Sequence, residues 1–191
     1  MNIGILGSGN VGGTLGARWA KLGHKVVFGT RDQESLKNAV RESEVVVAAL
    51  PWNAVKGVVE SLDLQGKIVL DCTNPLKADL SGVEIGTTTS GGEQVTQWAR
   101  GASVVKIFNT TGFSNMENPI YGGQPTAMFY CGGDQRAKAA ASKLATDLGF
   151  DPIDAGPIEN ARLLEPLAML WIWLAIKGGL GRDFALKLVH R

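Results

Sequence analysis

Short apolar runs alternate with amphipathic segments along most of the chain, and the apolar runs show little alternation of polar with apolar positions. This pattern is typical of parallel strands that helices cover on both faces. It predicts strands at 2–6, 25–28, 44–49, 67–71, 103–108, 127–131 and 151–154. It also predicts helices at 10–22, 32–41, 52–62, 92–100 and 135–148. The alternation of strands and helices therefore predicts a doubly wound α/β fold with a mostly parallel sheet.

The pattern changes after Gly156, where residues 158–178 favour one strongly apolar helix. Large side chains at helical spacing define a stripe along it: Leu163, Leu167, Leu170, Trp171 and Leu174. The run 168–176 is apolar on every side, so we expect it to be buried, in part by a second subunit. Pro166 is expected to restart or kink this helix.

Length, composition and charge exclude several classes of protein. A chain of 191 residues suits one domain, 1–156, with a helical appendage, 157–191, as a probable dimer contact. The formal net charge of +1 gives no electrostatic footprint for nucleic acid or an anionic membrane. No apolar run approaches the roughly 18 residues of a membrane span, and the strand-like start leaves no room for a signal peptide. We therefore expect a cytoplasmic protein that forms homodimers and binds neither nucleic acid nor membrane.

A glycine-rich motif directly follows the first predicted strand and opens the first helix. Its residues are Gly7, Ser8, Gly9, Asn10, Val11 and Gly12. Gly7 permits a tight turn, Gly9 removes a side chain where a pyrophosphate would approach, and Gly12 allows close packing of helix on strand. The N-terminus of the helix then offers free N–H groups and a positive dipole to the anion. The motif predicts a Rossmann-type dinucleotide site, with a glycine-rich turn that binds nothing as the alternative.

The end of the second strand distinguishes NADP from NAD. An NAD site usually has an acidic residue here, but the chain continues with Thr30 and Arg31, which suit a 2′-phosphate. Asp32 has the spacing of the acidic residue, and we interpret it as the N-cap of the following helix. Arg31 is predicted to bind NADP(H), although a solvated surface charge is the other interpretation.

Three further segments follow predicted strands and so lie at the carboxyl edge, where ligands bind in this fold. They contribute the candidate cofactor-binding residues Leu50, Pro51, Trp52, Asn74, Pro75 and Asn109. Trp52 either borders the nicotinamide or packs, and packing is the commoner role of an aromatic ring. Asn74 and Asn109 either orient the carboxamide or the acceptor, or form Asx turns after their strands. Cys72 is interpreted as a small buried hydrophobe, and no Cys/His cluster suggests a metal.

No Ser/His/Asp or Cys/His arrangement is evident, so the catalytic residues stay unknown. His24 lies at a helix-to-strand turn and His190 near the terminus. Hydride transfer between two cofactors needs no such arrangement, because the cofactor rings carry the chemistry and the protein positions them.

The run Asp154–Glu165, D-A-G-P-I-E-N-A-R-L-L-E, together with the glycine motif and Thr30-Arg31, resembles the NADP oxidoreductases that depend on coenzyme F-420 (F420), a deazaflavin. The resemblance spans nearly the whole chain, and 106–110 also resembles the oxidoreductase domains of membrane metalloreductases, which pass NADPH electrons to flavin. It implies a Rossmann domain with a short helical C-terminal part, usually dimeric. It also implies that Ser8, Asn10 and Val11 contact the pyrophosphate and that Thr30 and Arg31 hold the 2′-phosphate.

Three functions remain open from the sequence. The first is an NADP(H)-dependent oxidoreductase whose small-molecule redox partner is a deazaflavin or a flavin. The second is an NADP-binding sensor or regulatory protein without turnover, because no catalytic acid or base is evident. The third is a reductase of a small imine or carbonyl, such as the pyrroline carboxylate reductases, although only about 35 residues follow Gly156 to form a substrate domain.

Overall fold

A seven-stranded sheet with helices on both faces forms the centre of the protein, as a computed structural model of all residues, Met1–Arg191, shows. The strands are β1 (Asn2–Leu6), β2 (Lys25–Gly29), β3 (Val45–Ala48), β4 (Ile68–Asp71), β5 (Ser103–Lys106), β6 (Ile120–Tyr121), β7 (Gln124–Pro125), β8 (Ala127–Gly132) and β9 (Asp151–Asp154). The helices are α1 (Asn10–Lys21), α2 (Gln33–Arg41), α3 (Trp52–Glu60), α4 (Gly91–Trp98), α5 (Phe113–Glu117), α6 (Gln135–Asp147) and α7 (Ala161–Ile176), the last preceded by a 3₁₀ turn (Ile158–Asn160).

The strand order of the main sheet is β2-β1-β3-β4-β5-β8-β9, and β6 pairs with β7 in a separate hairpin. Strands β1 to β5 pair in parallel, whereas β8 is antiparallel to β5 and parallel to β9. The order reverses between β1 and β3, which is the switch point where ligands bind in doubly wound sheets. The predicted fold class, a mostly parallel Rossmann-type sheet, is confirmed.

Two hydrophobic clusters cover the two faces of the sheet. Ile3 and Ile5 of β1 belong to one cluster and Leu6 to the other, as the two-residue period of a strand requires. Because both faces are covered, the central strands β3 and β4 are almost entirely apolar and fully buried. All seven main strands lie where the sequence predicts them. The sequence analysis missed α5 and the β6–β7 hairpin, because elements of two to five residues contain too little periodicity to recognise.

Helix α7 packs on the domain with a different face from the one that the large side chains predict. The inner face consists of Ala161, Leu164, Glu165, Ala168, Trp171 and Ala175. In the predicted stripe, Leu163 and Leu170 are 66% and 51% exposed, and Trp173 and Ile176 of the apolar run are 49% and 52% exposed. The single chain therefore leaves part of this run exposed, and its expected burial by a second subunit stays a prediction. Alanines face inward because α7 lies close to α4, where a Cβ added to Gly92 would come within 2.9 Å of the Ala161 Cβ.

The C-terminal part consists of α7, which is continuous, and a docked segment after it. Helix α7 continues through the exposed Pro166, so the predicted restart of the helix at this residue is wrong. Residues 177–191, the C-terminal segment, have no regular secondary structure. This segment docks on the domain where the Phe184 ring stacks on Trp171, with ring centroids 5.1 Å apart, and where Ala127 donates its N–H to the Leu186 carbonyl. None of the helices is both long and apolar enough to span a bilayer.

Candidate dinucleotide-binding site

The glycine loop between β1 and α1 makes a tight turn that leads directly into the helix. Gly7 has a φ of 102°, and its N–H donates to the Gly29 carbonyl at 2.9 Å, so the loop lies beside the end of β2. A Cβ at Gly7 would collide with the Ala49 carbonyl, and a Cβ at Gly12 with the Gly7 carbonyl. A Cβ at Gly9 would meet nothing within 4 Å. Gly7 and Gly12 are therefore required by the fold, whereas Gly9 leaves open space in front of the loop.

The N-terminus of α1 faces this open space. Its N-cap is Gly9, and no side chain caps the helix. The N–H groups of the first turn, which includes Asn10 and Val11, have no partner within the helix. These groups and the helix dipole are suited to an anion, and Ser8, the remaining residue of the loop, is exposed beside them.

The end of β2 forms a second polar site. Asp32 accepts a hydrogen bond from the Ser35 N–H at 2.9 Å, so its predicted role as the N-cap of α2 is confirmed. The Ser35 hydroxyl accepts from the Thr30 N–H at 3.0 Å and lies 3.4 Å from the Thr30 hydroxyl. Arg31 is exposed and forms no ion pair. The sequence analysis missed Ser35, whose position three residues after an N-cap could have indicated it.

The candidate residues after β3 are used mainly for packing. The Leu50 side chain lies beside Gly7, where an added Cβ would meet its Cδ2 at 3.3 Å. Pro51 is the N-cap of α3. Trp52 is half-buried and packs against Trp98, with ring centroids 5.5 Å apart. Pro75, after β4, packs near Gly91, where an added Cβ would meet its Cδ at 3.2 Å.

Asn74 and Asn109 come together at the ends of β4 and β5. The Asn109 Nδ2 donates to the Asn74 Oδ1 at 3.1 Å and to the Leu164 carbonyl at 3.2 Å, and the Asn74 Nδ2 donates to the Asn109 carbonyl at 2.9 Å. These partners determine the orientation of both amides and leave the Asn109 Oδ1 buried without a donor. A buried acceptor without a donor is uncommon in a folded protein. Phe108, directly before it, has a φ of 60°, a strained conformation of the kind found at functional sites.

A cleft of about 310 Å³ adjoins this pair. It lies between the N-terminus of α1, the ends of β4 and β5, helix α5 and one side of α7. Polar groups of Asn10, Asn74 and Asn109 face apolar walls that include Val11 and Trp171. The cleft thus connects the glycine loop to an apolar slot that suits a planar ring.

A buried ionic cluster supports this edge of the sheet, and the sequence analysis did not identify it. The Lys106 Nζ lies 2.8 Å from Asp71 Oδ2 and 2.9 Å from Glu165 Oε1, and all three side chains are buried. Glu165 also accepts hydrogen bonds from the N–H groups of Gly91 and Gly92, at the start of α4, each at 2.9 Å. Burial by itself would lower the pKa of Lys106, but Asp71 and Glu165 raise it above its usual value. A lysine within the apolar strand V-V-K-I-F was the signal available in the sequence.

Charged and sulfur-containing side chains nearby have structural roles. Arg162 of α7 forms a paired contact with Glu93 of α4, and the hydrogen bond from Arg162 holds the pKa of Glu93 below its usual value.

Burial raises the pKa of the Cys72 thiol well above its ordinary range and that of Cys131 to about 12. Both cysteines are therefore neutral thiols at neutral pH, in agreement with the interpretation of Cys72 as a small hydrophobe.

Comparisons with known proteins agree with this geometry. The family described as NADP oxidoreductase, coenzyme F420-dependent, matches residues 2–75. A crystal structure of a candidate F420-dependent NADP reductase from Arthrobacter sp. FB24 superposes with a TM-score of 0.88 at 32% identity, over 100% of both chains.

Curated relatives include proteins of two kinds. The F420-dependent NADP reductase of Methanocaldococcus jannaschii is 27% identical over 93% of each chain. Metalloreductase STEAP3 of Rattus norvegicus is 28% identical over 90% of this chain. The aligned region covers only 37% of the length of that metalloreductase, so its activity as a whole protein does not transfer to this chain by similarity.

Proposed function

Because the chain belongs to the family of NADP oxidoreductases that depend on coenzyme F420, we propose that it transfers hydride between NADP(H) and a second redox cofactor, a deazaflavin of the F420 type or a flavin. The chain is an NADP-dependent oxidoreductase, and the proposal adds its redox partner. The observation that carries it is the cleft beside the glycine loop, which apolar side chains line together with Asn74 and Asn109.

The two polar sites correspond to the two phosphate positions of NADP. We assign the pyrophosphate to the first turn of α1, because Gly9 leaves space there and no side chain competes for the N–H groups. We assign the 2′-phosphate to Thr30 and Arg31, because an uncompensated guanidinium and the Thr30 hydroxyl can donate to a dianion. Ser35 supports them: its hydroxyl accepts from the Thr30 N–H and donates to the Asp32 carbonyl at 2.8 Å. The nicotinamide end would then extend past Asn10 toward Asn74 and Asn109.

The chain's own residues bind, orient and exclude water. When bound, NADPH supplies the hydride from its nicotinamide ring. Asn74 and Asn109 line the cleft with amides that their mutual hydrogen bonds hold in fixed orientations, so they would orient a ligand bound there. Val11 and Trp171 line the cleft with apolar surface, which would exclude water from a ring bound there. Of the 13 residues that line the cleft, none is Asp, Glu or His, so reduction of an imine or carbonyl that requires a general acid is less well supported.

We also propose that the protein acts as a homodimer. The outer face of α7 presents Leu163, Leu170 and Trp173 to solvent, although each side chain is large and apolar. A contiguous apolar patch of this kind usually marks a protein interface. A two-fold axis beside α7 would bring two copies of this face together, and the same helix would keep its other side on the cleft.

The proposed function is tested by following NADPH absorbance with a deazaflavin, free flavins, quinones, ferric chelates and a cyclic imine as acceptors. We expect oxidation with the deazaflavin or a flavin. NADPH binding without turnover on any acceptor would instead identify a sensor, and turnover with the imine alone would identify an imine reductase.

Gly9→Val tests whether the reaction uses the glycine loop. Because a Cβ there meets no atom of the protein, we expect the variant to fold with unchanged stability and to lose NADPH binding and turnover. Gly57→Val is the matched control, since a Cβ at Gly57 on α3 also meets nothing within 4 Å and lies outside the proposed site. Normal NADPH affinity in Gly9→Val would show that the dinucleotide binds elsewhere.

A further inference from the structure

The cleft beside the glycine loop contains a single charge. Thirteen residues line it, and Arg182 of the C-terminal segment is the only charged residue among them. No carboxylate of the protein lies within ion-pair distance of this guanidinium. Asp183, the next residue, accepts a hydrogen bond from the Tyr121 hydroxyl at 3.0 Å instead. The Arg182 guanidinium is therefore a cation of the cleft without an ion-pair partner in the protein.

The chain around Arg182 is held in place by hydrogen bonds at three consecutive residues, two through backbone carbonyls and one through a side chain. The Arg182 carbonyl accepts from the Ser114 hydroxyl at 3.4 Å, and the Asp183 carboxylate is bound to Tyr121. The Phe184 carbonyl accepts from Asn115 Nδ2 at 2.7 Å and from Trp171 Nε1 at 3.1 Å. A chain end without regular structure is usually mobile unless it is docked, and this docking is what determines the position of Arg182.

The side chain of Arg182 lies over an apolar wall of the cleft. Its guanidinium carbon is 5.9 Å from the centroid of the Phe113 ring, which lines the same cleft. A cation above an aromatic face is stabilised by the ring without losing its charge, and its N–H groups stay available for an anion. An arginine in this arrangement can form two parallel hydrogen bonds to a phosphate or carboxylate.

We propose that Arg182 is a specificity-determining residue, which selects redox acceptors that carry a phosphate or carboxylate beside their ring. This inference rests on the proposed function and adds the charge of the acceptor to it. The ring of such an acceptor occupies the apolar slot, and its anionic side chain extends toward the C-terminal segment. An acceptor with the same ring and no anionic group binds more weakly, because the guanidinium then stays unpaired.

The phosphate that Arg182 binds could instead be the pyrophosphate of NADP, since Asn10 and Val11 of the glycine loop line the same cleft. FMN and riboflavin separate these sources, because they share one ring system and differ by one phosphate group. Binding of each flavin to the NADP⁺-saturated protein is measured by equilibrium dialysis, and NADP⁺ affinity is measured separately. The proteins compared are the wild type, Arg182→Gln, Arg182→Lys and Lys187→Gln. Lys187→Gln is the control, because it removes a cation of the same segment that lies outside the cleft. The Lys187 Nζ donates to the Pro125 carbonyl.

We expect the wild type to bind FMN more tightly than riboflavin by roughly 10-fold or more, which corresponds to about 1.4 kcal/mol. Arg182→Gln should remove this difference, Arg182→Lys should keep part of it, and Lys187→Gln should keep all of it. The affinity for NADP⁺ should stay the same in every variant. Equal binding of both flavins by the wild type, binding of neither, or an unchanged preference in Arg182→Gln would overturn the proposal. So would a loss of NADP⁺ affinity in Arg182→Gln, which would assign the arginine to the pyrophosphate.

The KM for each flavin distinguishes a failure of this inference from a failure of the proposed function. NADPH oxidation with FMN and riboflavin at equal KM would leave the hydride transfer intact and overturn the role of Arg182. Absence of NADPH oxidation with every acceptor would contradict the proposed function, whatever the flavin affinities are.

Discussion

Single residues at the carboxyl edge of the sheet have separate tasks in the proposed site. Gly9 leaves space, Asn109 presents an unpaired acceptor, and Arg31 presents an unpaired cation. Gly9 and Arg31 are exposed, so each of their tasks can be removed by a substitution that leaves the surrounding packing unchanged. This separation makes cofactor preference a property that can be tested one residue at a time.

At this scale, Arg31→Ala should weaken NADPH binding by roughly 10- to 100-fold, the loss expected for one charge-assisted hydrogen bond of about 1.5–3 kcal/mol. NADH lacks the 2′-phosphate, so its affinity should change little. Titration calorimetry with both dinucleotides checks this, and Arg41→Ala, which removes an exposed arginine from the far end of α2, is the matched control. Equal losses for NADPH and NADH would contradict the assignment of Arg31 to the 2′-phosphate.

At the scale of elements, the buried ionic cluster connects four of them. Lys106 of β5 joins Asp71 of β4 to Glu165 of α7, and Glu165 also binds the N-terminus of α4 through Gly91 and Gly92. Helix α7 lines the cleft on one side, so this cluster determines the position of the helix relative to Asn109. The contact between Arg162 and Glu93 attaches the start of the same helix to α4.

Lys106→Met should lower the free energy of unfolding by about 3–5 kcal/mol, because it leaves two buried carboxylates without a cation. Lys143→Met is the control, since its ion pair with Asp147 is solvent-exposed and should contribute less than about 1 kcal/mol. Urea denaturation measures both. Adding Asp71→Asn and Glu165→Gln to Lys106→Met should restore part of the stability. A loss no larger than that of the control would mean that the cluster does not hold these elements together.

At the scale of the whole molecule, the outer face of α7 decides the oligomeric state that we propose. Trp173 is 49% exposed in the single chain, so a charge there should leave the fold intact. In a dimer formed through this face the same charge would be buried without a partner, which is costly. We expect Trp173→Glu to convert the dimer to a monomer by light scattering at micromolar concentration.

Val189→Glu is the control for this experiment, because Val189 is an exposed apolar residue outside α7 and should leave the dimer intact. A monomeric wild-type protein would contradict the proposed homodimer. The exposed residues of α7 would then require another explanation.

The sequence by itself determined the seven main strands, the fold class, the glycine loop and the N-cap at Asp32. Each of these is a local property. A buried strand requires a continuous apolar run, a φ of 102° at Gly7 favours glycine, and a cap requires a short polar side chain before the helix. Neighbours along the chain are sufficient to specify such features, and the strand–helix alternation then specifies the class of sheet.

Only the tertiary structure decided which distant residues meet. Asn74 and Asn109 are 35 positions apart, and their amides pair because β4 and β5 are adjacent in the sheet. The ionic cluster depends on that pairing and on the docking of α7, which uses its alanines where periodicity favoured its leucines. Arg182 reaches the cleft because the C-terminal segment docks on the domain, through the Phe184–Trp171 stack and the hydrogen bonds around it. Contacts of this kind depend on strand order and on the close packing of small side chains. Residues that are adjacent in sequence determine neither of these.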